Sequence, residues 1–188
     1  MKSLCPAFLI LMGLASWIGC DDGAASVDDL QTSPRYAETV VEYSPGEAAG
    51  FGQESLPQIV LGAPDGKGPF AGGTDVLSLG VGGEIVLGFG DVALVDGPGS
   101  DFRVFENAFY AGGAPTNVFA ELAEISVSQD GTTWDTFPCD PTSIGPQWPG
   151  CAGYTPTLPC DDDPQTEVTD DCGGDAFDLA DIGVTGAK

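Results

Sequence analysis

Beyond about residue 33, glycine or proline interrupts this sequence so often that no segment sustains the period of an amphipathic helix. With 28 glycines and 15 prolines, what remains between interruptions is long enough only for short strands. Residues 39–43 (TVVEY) stop at Pro45-Gly46, 75–79 (DVLSL) lead into Gly82-Gly83, and 84–89 (EIVLGF) end at Gly90-Asp91. Residues 102–105 (FRVF) continue the series, and 123–128 (AEISVS) alternate small or apolar residues with polar ones. Gln129-Asp130-Gly131 then predicts a hairpin into 132–137 (TTWDTF), because Asp-Gly tolerates the positive φ of a tight turn. Trp134 is expected in the core from its place beyond that turn. The fold class that follows is all-β, an antiparallel β-sandwich of jelly-roll type.

The N-terminus has a different character. Met1-Lys2 precedes an apolar run over 5–18 that is too short for a comfortable membrane span, and Gly19-Cys20 is followed at once by Asp21-Asp22. This reads as a lipoprotein signal over 1–19, with Cys20 the lipidated residue. Residues 17–19 (WIG) depart from the Leu that usually begins a bacterial lipobox, so an ordinarily cleaved or uncleaved signal is the alternative. Residues 20–33 are rich in Asp, Gly, Ala and Ser and read as a linker reaching at most about 45 Å. Residues 34–188 are long enough for one domain that buries close to 70% of its unfolded surface. The expected location is the cell envelope, at the outer membrane or cell surface, with the lipid as the membrane contact.

Cysteine usage agrees with export. Once Cys5 leaves with the signal and Cys20 carries lipid, Cys139, Cys151, Cys160 and Cys172 remain, an even set that predicts two disulfides. Cys139 with Cys151 and Cys160 with Cys172 is the preferred pairing of the three that four cysteines allow. A four-thiolate zinc site is the competing reading, but the spacings are far wider than those of zinc knuckles. The stretch 139–172 also carries six prolines and the acidic runs 161–163 and 170–171. It reads as a stapled loop at one end of the domain, the acidic runs forming a solvated face.

Charge and composition exclude much. Without Lys2, four basic residues stand against 29 acidic ones, a formal charge of −25. Such a chain repels nucleic acid and anionic headgroups and attracts divalent cations. The absence of histidine removes Ser-His-Asp and Cys-His catalysis and imidazole-bound zinc. Hydrolysis by paired carboxylates survives, with Glu106, Glu121 and Glu124 as nominal candidates for a glycosidase. Their strand-surface surroundings favour a non-enzymatic chain.

The blocks VLGAPDGKG (60–68), TDVLSLGVGGEIVLGFGD (74–91), DGPGSDFRVFEN (96–107), ISVSQDGTTWDTFPC (125–139) and GGDAFDLADIG (173–183) resemble uncharacterised surface and PKD-associated proteins of environmental bacteria. SVSQDGTTW (126–134) is also similar to the signature of discoidin-like domains, whose fold is a galactose-binding-like jelly roll; sialidase Asp boxes share parts of it. The resemblance implies a monomeric, non-catalytic surface module that binds glycans or other surface components. In such proteins a further strand follows the segment like 173–183, so a sandwich lacking its closing strand is part of the expectation.

Two clusters are candidates for calcium, which takes six to eight oxygens from flexible acidic loops. Asp96 and Asp101 flank a Gly- and Pro-rich loop, with Glu106 and Asn107 just beyond. Asp175, Asp178 and Asp181 recur at a spacing of three, which a helical turn would align. The clusters either meet at a structural calcium ion, or each binds one, or Asp96 and Asp101 simply cap a turn. For glycan stacking the candidates are Trp148, Tyr154 and Tyr110, with packing of Trp148 against its own loop as the alternative. A structural envelope protein without a soluble ligand is the second functional reading.

Overall fold

The computed structural model describes residues 36–90, 92–143, 148–159 and 172–184. The signal at 1–19, Cys20, the linker at 20–33, Cys160 and the acidic runs lie outside the described residues. Within them the architecture is strands and loops, with short 3-10 turns and no α-helix. No helix among the described residues is long and apolar enough to cross a membrane.

Among the described residues ten strands form five antiparallel pairs. The longest joins β1 (Thr39–Ser44) to β2 (Glu84–Gly88), with a register shift between Val40 and Glu42 that leaves Val41 facing solvent. β3 (Phe102–Val104) pairs with β10 (Asp175–Phe177), and β4 (Phe109–Tyr110) with β5 (Val118–Phe119). The extended segment 123–127 changes partner along its length. Its first part, β6 (Ala123–Glu124), pairs with β9 (Cys151–Ala152), and its second, β7 (Ser126–Val127), with β8 (Asp135–Thr136).

The hairpin expected at Gln129-Asp130-Gly131 joins β7 to β8 as a longer loop than two residues. Ser128 Oγ accepts from the amides of Asp130 and Gly131, and Asp130 Oδ1 accepts from those of Thr132 and Thr133 at 2.8 and 2.7 Å. Gly131 supplies the positive φ of 68°. These hydrogen bonds hold the Asp130 carboxyl well below the usual range, the Thr133 and Thr132 amides contributing most.

The strand expected over 75–79 is absent. Leu77 and Leu79 alternate inward as a strand would, but the polar backbone atoms bond to a loop: Ser78 N donates to Phe51 O, and Leu79 O accepts from Gly46 N. Periodicity recorded burial here, not a sheet partner.

Two hydrophobic clusters result. One gathers Ile59, Val60, Leu77, Leu79, Ile85, Leu87 and Phe89 behind the β1–β2 pair. The other gathers Phe102, Val104, Ile125, Val127, Phe137, Phe177 and Leu179 behind β3–β10 and the 123–127 segment. Leu94 packs against both. Trp134, expected in the core, is only half-buried, and Phe137 takes that place, its ring edge-on to Phe102 and Phe177.

Cys139 and Cys151 are joined in the expected pairing, with Cα atoms 4.4 Å apart. Cys172 is also disulfide-bonded. The first bridge links the chain just after β8 to the start of β9, so it ties together the two partners of segment 123–127. Replacing Cys139 and Cys151 together by Ala is expected to lower the unfolding free energy by about 2–4 kcal/mol, read from denaturant titration. An unchanged midpoint would mean that backbone pairing alone holds the two partners.

Candidate functional site

The loop before β3 and the turn after β10 meet because β3 and β10 are paired. This brings Asp96, Asp101 and Asp178 together, each offering a carboxylate oxygen within 4.8 Å of the others. Three carboxylates at that separation could hold a metal ion. Two of them also have structural work. Asp101 Oδ1 accepts from Gly97 N and its Oδ2 from Leu179 N, both at 2.7 Å, while Asp178 Oδ1 caps the following 3-10 turn through Ala180 N at 2.9 Å. Turn capping and cation binding are compatible, since a carboxylate offers about four lone-pair sites.

The remaining candidates for metal lie elsewhere. Asp181 is exposed within the 3-10 turn over Leu179–Ile182. Asp175 belongs to a strand, so the spacing of three that would align it with Asp178 on a helix does not apply. It faces inward with Val104 as its cross-strand partner. Asp175 Oδ2 accepts from the amides of Gly153, Tyr154 and Thr155 at 2.6, 3.1 and 3.5 Å. Gly153 reaches it with a φ of 96°, where a Cβ would strike Glu121 O. Asp175 Oδ1 is buried and accepts no hydrogen bond from the described residues.

Glu106 is the most unusual group. Two residues beyond Val104, it is 3% exposed, and neither carboxylate oxygen accepts a hydrogen bond from the described residues. Its backbone carbonyl accepts from Thr157 Oγ1 at 2.8 Å. Burial, reinforced by Asp175 and Glu121, pushes its carboxyl up to about 8. Burial likewise raises Asp175, against the pull of its hydrogen bonds. Glu106 and Asn107 form part of the wall of a cavity of about 20 Å³, with Asp65, Asp75, Lys67 and Thr157. Glu121 and Glu124, the other carboxylates considered for hydrolysis, lie on the exposed surface.

The aromatic candidates fall into two places. Trp148 and Tyr154 are half-buried with ring centroids 5.9 Å apart. Tyr110 pairs instead with Phe70, 6.2 Å away and 60% exposed. On the opposite face of the β4–β5 ribbon Phe109 stacks on Phe119 at 4.9 Å, Phe119 being 45% exposed. Sequence reasoning missed Phe70, Phe109 and Phe119. The available signal was the density of aromatics over 102–119, which includes Phe109-Tyr110.

No protein-family model matches the chain, and neither curated proteins nor solved structures yield a match to it.

Proposed function

We propose that this chain is an exported, lipid-anchored envelope protein whose domain recognises a surface glycan or similar polymer without catalysis. The observation that carries the reading is the aromatic β4–β5 ribbon. Phe70 and Phe119 present rings to solvent, each against a half-buried partner, Tyr110 on one face and Phe109 on the other, on a segment without a further strand partner among the described residues. Exposed, contacting aromatics are the usual mark of a binding surface. Rings of this kind stack on the apolar faces of sugars. The excess of acidic residues directs the choice to neutral polymers, since anionic ones are repelled.

The antiparallel pairs are read as parts of a jelly-roll sandwich, and the Asp96, Asp101 and Asp178 carboxylates as a structural calcium site that pins the loop before β3 to the turn after β10. The lipid at Cys20 would hold the domain at the membrane surface.

Passing the full chain over immobilised neutral polysaccharides tests this. Retention is expected, and Phe70→Ala or Tyr110→Ala should each weaken it about five- to tenfold, as loss of one aromatic contact does. Trp148→Ala reports separately on the Trp148–Tyr154 pair. A folded protein that no polysaccharide retains would shift the reading to a structural envelope protein.

A further inference from the structure

We infer that the notch beside Phe70 selects the sugar, taking the primary hydroxyl of a hexose whose ring stacks on the Phe70 side chain. This deepens the glycan reading of the Phe70–Tyr110 face and rests on it. The notch is the half-open cavity of about 20 Å³ walled in part by Asp65, Lys67, Asp75 and Asn107. Phe70 lies in the loop that forms one side of it, between the wall residues Lys67 and Ala71.

That loop is fixed on both sides of Phe70. Pro69 O accepts from Tyr110 N at 2.7 Å, and Gly73 N donates to Asn107 Oδ1 at 2.6 Å. Platform and notch are therefore set in one arrangement before a ligand arrives, which lowers the ordering cost of binding. Gly73 keeps the notch open. A Cβ there would stand 3.5 Å from Asp65 O and 3.7 Å from Lys67 Cγ, between two residues of the wall.

Charge and size choose the group that enters. Charges of both signs line the notch, Asp65 and Asp75 against Lys67. The Lys67 ammonium is engaged by Asp65 at 2.9 Å and has three donors in all, while a carboxylate has about four lone-pair sites, so each has capacity left. A hydroxyl donates to the one and accepts from the other, whereas a carboxylate or an ammonium on the sugar would meet a like charge. The volume admits one water-sized body, since a single water needs about 10–15 Å³, so a hydroxyl enters and a bulkier substituent does not. On a stacked hexopyranose the primary hydroxyl sits on a rotatable carbon arm outside the ring and can turn from the ring edge into a notch beside the platform. Xylose has the same ring without that arm.

Retention of the full chain is measured on immobilised glucan, mannan and galactan, and on xylan of the glucan's linkage, for the natural sequence, Gly73→Ala and Phe70→Ala. The natural protein is expected to hold a hexose polymer about five- to tenfold more tightly than xylan, the worth of one hydrogen-bonded group. Gly73→Ala, whose added methyl meets its neighbours at ordinary contact distance, should lose that preference. Phe70→Ala should weaken retention on hexose polymers and xylan alike. If Gly73→Ala does not fold, Lys67→Ala, which removes an exposed donor from the wall, replaces it and is read the same way. Equal retention of hexose polymers and xylan by the natural protein, or an undiminished preference in Gly73→Ala, would overturn the inference while leaving glycan recognition standing. A folded protein that holds no polysaccharide would overturn both.

Discussion

Between about pH 5 and pH 8 the protein is expected to lose roughly 3–4 kcal/mol of stability through Glu106 alone. The unfolded chain releases this proton near the ordinary value of 4.5, whereas the folded state keeps it up to about 8. Folding therefore takes up a proton within that window. The stability fully present below pH 4.5 is lost as the pH climbs through 8, where the carboxylate must ionise without a partner. Asp175 and Glu121 are the acidic groups that act on Glu106, and the raised carboxyl of Asp175 adds to the trend with the same sign. Urea midpoints across this range check the slope, and Glu106→Gln should flatten most of it. A profile equally steep in the variant would assign the pH dependence to other groups.

Phe137→Ala is expected to cost about 3–5 kcal/mol, the usual range for emptying an aromatic site in a core. Phe137 is 2% exposed and lies edge-on to both Phe102 and Phe177, so it joins the hairpin strand β8 to the β3–β10 pair. Phe137→Leu, which refills most of the space, should cost much less. Phe70→Ala offers the contrast: at 60% exposure its removal should change stability by less than about 0.5 kcal/mol while impairing recognition. Equilibrium denaturation measures all three. A Phe137→Ala loss below about 1 kcal/mol would mean that the cluster around Phe102, Phe137 and Phe177 takes little part in the cooperative core.

What the sequence disclosed depended on how far each signal reaches along the chain. The strands at 39–43 and 84–89 were legible because alternation and turn residues are local, and the hairpin near Gly131 because Asp-Gly states its own backbone requirement. Residues 75–79 carry the same alternation and yet bond to the loop at 46–51, a partner that no local pattern names. The ribbon of β4 and β5 has strands of two residues, too short for any period to register. Residues 173–183 illustrate the same limit at the site. Their acidic spacing suggested one cluster, but the pairing of Asp175 with Val104 turns that residue into the interior and leaves Asp178 with Asp96 and Asp101. The preferred disulfide between Cys139 and Cys151 was legible from spacing, whereas the burial of Glu106 depends on segments that meet it only in three dimensions.

The pairing of β3 with β10 has a consequence in time. Arg103 donates to Gly173 O, 70 residues further along, and Asp101 takes an amide from Leu179, 78 residues away. A ribosome releases the first half of that contact long before the second exists. Until residues 175–179 arrive, Phe102 and Val104 have no cross-strand neighbour, and the cluster around Phe137 lacks Phe177 and Leu179 as well. Closing so long a loop is slow, and the waiting edge is open to association with other chains. The growing chain is thus most vulnerable in the interval before its last described strand is made, and a chain cut short there would retain the β1–β2 pair while leaving the second core unsealed.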